Sequence, residues 1–111
     1  MKKFRTKEYE EDCRITGEFN NCTLAIARAV TKELLPQEKM HSHLNTTEYY
    51  IFLRGKAEML VNNDIIKVAQ GDVLMIEPGE MHKVNKIIEE IDYIAIRDSI
   101  TKDKKLNDKQ S

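Results

Sequence analysis

Every histidine of this chain, together with one glutamate, falls at a spacing that can close around a single metal ion. His41, His43 and Glu48 lie within eight residues of one another, and His82 follows 34 residues after Glu48, at the end of a Gly71-Asp72…Pro78-Gly79 segment. With three histidines in 111 residues, none is spent elsewhere. A fold that uses these four groups together must bring two segments far apart in sequence to one point.

The spacing carries its own geometry. His41 and His43 are two apart, and on an extended strand such residues point to the same side, so both imidazoles can reach one ion. Glu48 opens the next apolar run after a short Leu44-Asn45-Thr46-Thr47 link, and His82 enters from another direction after the Pro78-Gly79 turn. Three neutral imidazoles and one carboxylate leave coordination positions open for water, dioxygen or a chelating substrate. The donor set suits one divalent transition metal ion, Fe, Mn, Ni, Zn or Cu, without choosing among them. The competing reading makes His41 and His43 solvated loop residues and His82 a core histidine bonded to backbone.

The rest of the chain reads as all-β. Residues 1–21 form a polar N-terminal arm or edge strand, residues 22–100 a barrel, and residues 101–111 a polar tail expected to fray. Cys22 to Thr31 alternates, with Leu24, Ile26, Arg28 and Val30 on one face and Ala25, Ala27 and Ala29 on the other; its alanines also permit a short helix. A loop containing Pro36 leads to the first histidines. Strands are then expected over Thr47–Leu53, stopping at Arg54-Gly55, and over Ala57–Val61, ending at Asn62-Asn63-Asp64. Further strands are expected over Ile65–Val68, Val73–Ile76, Met81–Val84 and Ile91–Arg97, with a polar break near Asn85-Lys86. Short strands separated by regular turns argue for a β-sandwich or barrel.

A chain of this length is one domain with room for one core. Charged residues make up 33%, but they are mixed and the net charge is only −1, so there is no basic surface for a nucleic-acid backbone. No apolar run approaches membrane-spanning length, and acidic residues follow the basic start where a signal peptide needs an apolar stretch. These features point to a soluble cytoplasmic protein with neither nucleic-acid nor membrane partners. Cys13 and Cys22 stand in no metal-binding spacing and read as two reduced thiols.

His41-x-His43-x4-Glu48-x6-Gly55 resembles the first motif of the cupins, and Gly71-Asp72-x4-Glu77-Pro78-Gly79-x2-His82 resembles the second. The resemblance covers about residues 22–97 and has a short spacer between motifs, like that of small microbial cupins. It implies a double-stranded β-helix, a jelly-roll barrel, with His41, His43, Glu48 and His82 as ligands of an internal metal. Pro36-Gln37 stands where the first motif often begins with glycine, Glu77 replaces the first proline of the second motif, and Asn85 is displaced by one residue. These departures affect turns and the pocket rim more than the ligands.

Fold does not choose among cupin activities. By strand parity Tyr50 and Phe52 share the side of Glu48, and Met59, Met75 and Ile94 or Ile96 are candidates for the other walls of a substrate pocket; each can equally be core. Arg28, in the middle of an apolar strand, is expected to face the cavity and pair with an anionic ligand, with an edge, an outer face or a dimer ion pair as alternatives; Arg97 has a similar but lesser claim. The leading functional expectation is a metal-dependent enzyme, an oxygenase or isomerase, acting on a small polar or anionic molecule, with Glu48 also moving protons. The alternatives are a non-catalytic binding or sensor module for a small sugar or acid, and a structural metal without turnover. A homodimer is the expected assembly.

Overall fold

The computed structural model of the chain describes residues 1–4, 7–9, 14–33, 39–99 and 104–106. Cys13 and the Pro36 loop lie outside these residues. All the regular structure described is strand: β1 (Lys7–Tyr9), β2 (Arg14–Phe19), β3 (Cys22–Val30), β4 (His41–His43), β5 (Glu48–Val61), β6 (Asp64–Ala69), β7 (Val73–Ile76), β8 (His82–Arg97) and β9 (Lys104–Leu106). Every pairing is antiparallel. One path runs β1-β2-β3-β8-β4-β9, while β5 pairs with β6, β7 and β8, and this wraps the sheet into the double-stranded β-helix. Among the described residues, no helix is long and apolar enough to cross a membrane.

Two long strands carry the barrel, where the sequence suggested four shorter ones. Arg54-Gly55 is a bulge inside β5 and not a turn: the register against β8 shifts there and the strand continues to Val61. Gly55 has φ +84°, and a Cβ at this position would collide with the carbonyl oxygen of Glu90. On β8 the polar Asn85-Lys86 pair does not break the strand, because Lys86 pairs opposite Glu58 on β5 and only backbone groups make the ladder. Turns appear where expected at Asn62-Asn63 and Gly71-Asp72; Asn62 adopts φ 53° and Gly71 φ 91°. Phe52 closes the second turn by accepting from Gly71 N–H and donating to the Asp72 carbonyl.

The core is the inner face of β3, β5 and β8. Tyr50, Phe52, Ala57 and Met59 of β5 are buried with Val84, Ile87, Ile91, Tyr93 and Ala95 of β8. Tyr50, Phe52 and Tyr93 form a ring cluster with centroids 5.6–6.2 Å apart. Because these rings fill the interior, the wall opposite them on β3 is made of small residues: Ala27 pairs with Tyr93 and Ala25 with Ala95. The inward side of β3 is therefore the alanine side. The larger aliphatics face outward in two cross-strand rows, Met75–Tyr49–Ile96–Leu24 and Val73–Ile51–Ile94–Ile26. Val73 and Met75 at the end of these rows are more than half exposed.

Both ends of the chain add strands to the barrel. The N-terminal arm supplies a hairpin, β1 and β2, that extends the sheet beyond β3. The polar tail was expected to fray, but Lys104–Leu106 pairs with β4, in register His41↔Leu106 and His43↔Lys104. The open edge of β4 offers backbone donors and acceptors, and pairing with them does not depend on side-chain polarity. The remainder of the tail lies outside the described residues.

Candidate metal centre

The four groups singled out by spacing meet inside the barrel. Ligand-capable atoms of His41, His43, Glu48 and His82 all lie within 4.8 Å of one another. All four residues are buried, His82 completely. Short elements deliver them. His41 and His43 flank Ser42 on β4, and His41 stands directly opposite His82 on β8. Glu48 begins β5. The Glu77–Glu80 turn brings in His82, with Gly79 at φ 86° and its N–H donated to the His43 carbonyl at 2.8 Å. That bond ties the second motif directly to the strand bearing the first.

Hydrogen bonds then orient the rings. His41 Nδ1 lies 2.8 Å from the Lys39 carbonyl, and His82 Nδ1 lies 2.9 Å from the Glu80 carbonyl. A carbonyl only accepts, so each ring places its Nδ1 proton there and turns Nε2 toward the centre. His82 Nε2 is 2.9 Å from Glu48 Oε1, and His43 Nε2 is 3.5 Å from the same oxygen. His82 thus points a nitrogen at a carboxylate after committing its other proton. Two acceptors at that distance are compatible only with a positive charge between them, supplied by an added proton or by a metal cation. Burial raises the pKa of Glu48, but the hydrogen bonds from His43 and His82 outweigh it and hold the carboxyl well below the usual carboxylate range. The donor chemistry fits a first-row divalent ion: three imidazole nitrogens and one ionised carboxylate, with two rings fixed by carbonyl partners.

The expected pocket residues divide. Tyr50 is buried with its ring edge-on to His82 at 5.8 Å, so it reaches the centre. Phe52 and Met59 face inward as parity requires, but at 1% and 0% exposure they are sealed in the core. Met75 is corrected: it lies on the outer side of β7 and is 55% exposed. It helps to line a hollow of about 270 Å³ with Ile66, Leu74 and Glu80, among others, and none of the four candidate ligands lines that hollow. Ile94 and Ile96 also belong to the outer rows. Arg28 is corrected as well. It is exposed, because the Leu24–Ile26 side of β3 faces outward and a bulge at Ala29, φ 54°, interrupts the strand next to it. Its charge is one of those that hold the Asp92 carboxyl below the usual carboxylate range.

Arg97, which the sequence ranked below Arg28, is the arginine at the centre. Its Nη1 donates to His43 Nδ1 at 3.2 Å. Counting alternate residues along β8 from the buried Ile91, Tyr93 and Ala95, rather than judging by the size of neighbours on β3, is the signal that finds it.

The sequence profile of the cupin domain matches residues 31–91, more than half of the chain and all four candidate ligands. The chain is 33% identical over 48 residues to the uncharacterised protein MJ1618 of Methanocaldococcus jannaschii, a match covering 43% of this chain and 38% of that protein. Among solved structures, a cupin protein of Bacteroides fragilis superposes with a TM-score of 0.68 at 20% identity, over 92% of this chain and 89% of that one. Pac13 of Streptomyces, a nucleoside dehydratase, superposes with a TM-score of 0.73 at 9% identity, over 96% and 92% of the two chains. At such identities these structures share the fold alone. The profile match, spanning both motifs, places the chain in the cupin family.

Proposed function

We propose that this cupin binds one divalent transition metal ion through His41, His43, Glu48 and His82 and acts as a metal-dependent enzyme, of oxygenase or isomerase type, on a small anionic molecule. The observation that carries the reading is the orientation of the rings: His41 and His82 spend their Nδ1 protons on carbonyls, and His82 sets its Nε2 2.9 Å from the buried Glu48 carboxylate. Closed structural zinc sites favour cysteine, and a carboxylate-containing set of four leaves room for an exogenous ligand. When bound, the ion supplies Lewis acidity or oxygen activation. The chain's own part is to hold three imidazoles in one tautomeric arrangement, to keep Glu48 ionised and able to exchange a proton with a bound ligand, and to exclude bulk water with the Tyr50–Phe52–Tyr93 rings.

One observation favours a binding module as the second reading. All three histidines are ligand positions, so none remains as a separate general base. For assembly, the two outer apolar rows ending at Val73 and Met75 support a homodimer in which two such faces pack together.

The test is metal analysis of protein purified without chelator, with an X-ray absorption edge scan to name the ion. Oxygen uptake and isomerisation assays on small hydroxy and keto acids follow. Protein that holds no ion after incubation with each of the five candidate metals refutes the proposal. Stoichiometric metal with ligand binding but no turnover selects the binding module.

A further inference from the structure

His41 and His43, two of the four candidate ligands, are the end residues of β4, a strand of 3 residues. A strand so short does not hold its place alone; its position is set by what pairs with its two edges. Toward β8 the ladder among the described residues has a single register pair, His41↔His82. The Gly79 N–H, 2.8 Å from the His43 carbonyl, adds a further tie. On the other edge β9 pairs with every residue of β4: His41↔Leu106, Ser42↔Lys105 and His43↔Lys104. β9 is the terminal strand of the β1-β2-β3-β8-β4-β9 path, so β4 lies between the core strand β8 and the C-terminal strand β9.

An ion at this centre needs β4 in place. The donor atoms of His41, His43, Glu48 and His82 all lie within 4.8 Å of one another, and two of the four residues ride on β4. A β4 that moves takes half of the donor set with it. Glu48 and His82 belong to the long strands β5 and β8, whose inner faces make the core. Binding the ion and docking β9 therefore draw on the same event, the ordering of β4. The backbone freedom lost there is lost once for both. By linkage, each then raises the affinity of the other by the same factor.

We propose that β9 is a C-terminal strap coupled to the metal centre: docked on β4 it tightens the grip on the ion, and the ion in turn holds the strap down. This rests on the metal centre proposed above and adds to it an element outside the ligand set that tunes its affinity. The coupling runs through the backbone ladder between β4 and β9, so it depends on the N–H groups of β9 and not on the charge of its lysines.

Two measurements on the full chain test the coupling: Zn(II) affinity, by competition with a chromophoric chelator, and amide hydrogen exchange. The variant is Lys104→Pro combined with Lys105→Pro. Alternate residues of a strand present their N–H groups to a given neighbour, so replacing two consecutive residues removes a ladder donor whichever parity applies. Its Zn(II) affinity should fall about 5- to 150-fold, the usual span of coupling between two sites, while the barrel still melts cooperatively. Lys104→Ala combined with Lys105→Ala keeps the donors and should bind Zn(II) as wild type does. In wild-type protein, saturating Zn(II) should slow exchange at Lys104–Leu106 by a factor comparable to the affinity that the proline variant loses. Equal Zn(II) affinity in wild type and the proline variant overturns the inference and leaves the metal centre standing. An alanine variant as weak as the proline variant also overturns it, because side-chain charge and not the ladder would then carry the effect. If the proline variant does not fold, hydrogen exchange decides: exchange at Lys104–Leu106 that Zn(II) does not slow overturns the coupling. Wild-type protein that binds neither Zn(II) nor any other of the five candidate metals overturns the centre itself, and the inference with it.

Discussion

Replacing Gly55 with alanine separates two costs that usually arrive together. Gly55 and Gly71 both sit at positive φ, +84° and +91°, but only Gly55 is crowded: a Cβ there meets the Glu90 carbonyl, whereas at Gly71 it meets nothing within 4 Å. Putting alanine in the left-handed region costs roughly 1–2 kcal/mol, partly offset by about 0.4–1 kcal/mol from restricting the unfolded chain. Gly71→Ala should therefore lose about 1 kcal/mol or less. Gly55→Ala adds an overpacking cost of about 1–3 kcal/mol, and the obstacle is backbone of β8, not the far end of a flexible side chain. Its total of about 1–4 kcal/mol corresponds to a melting temperature lowered by about 5–20 °C in a domain of this size. Urea and thermal melts followed by circular dichroism, in chelator so that bound metal does not add stability, give the comparison. Gly55→Asn beside Gly71→Asn is the control, because asparagine tolerates positive φ but keeps the Cβ. If the Gly55 and Gly71 variants lose equal stability, the close approach of β5 to Glu90 is not what demands glycine, and the account of the bulge fails.

Glu48→Ala combined with His82→Ala should abolish metal retention yet leave a cooperatively melting barrel, because the apolar core between β5 and β8 contains neither residue; an unfolded double variant would show that the centre is structural. Asp92 is held below the usual carboxylate range first by the Arg54 guanidinium and then by the Ala29 N–H. Its folded pKa is depressed, so its contribution is present above the ordinary aspartate pKa and is lost as pH falls through the folded value; Asp92→Asn should flatten the acid side of the melting-temperature profile, and an unchanged profile contradicts this. Tyr49→Glu with Met75→Glu, placed opposite each other on the outer rows, should convert a dimer to a folded monomer in sedimentation experiments. Wild-type protein that is monomeric at high concentration removes the dimer proposal.

The legible part of this protein was local. The His41-x-His43 pair needs only strand alternation to point both rings one way, and the glycine and asparagine turns need only a positive φ, so ligand pattern and strand-rich class follow from adjacent residues. The cupin motifs joined these local signals into a barrel. What failed to read was set across strands. Arg54-Gly55 resembles a turn in isolation and is a bulge because Glu90 on β8 lies against it. Lys104–Leu106 has no strand signal of its own, but β4 has an edge to fill. Arg28 and Arg97 look alike along the chain, and the aromatic rings of β5 and β8 decide between them. Those rings occupy the interior opposite β3, so that strand turns its alanines inward and its arginine out, while β8 carries Arg97 to the same side as Glu48. Alternation along a strand gives two faces; which face is inside depends on the volume that other strands have already filled, and that is a property of the closed barrel alone.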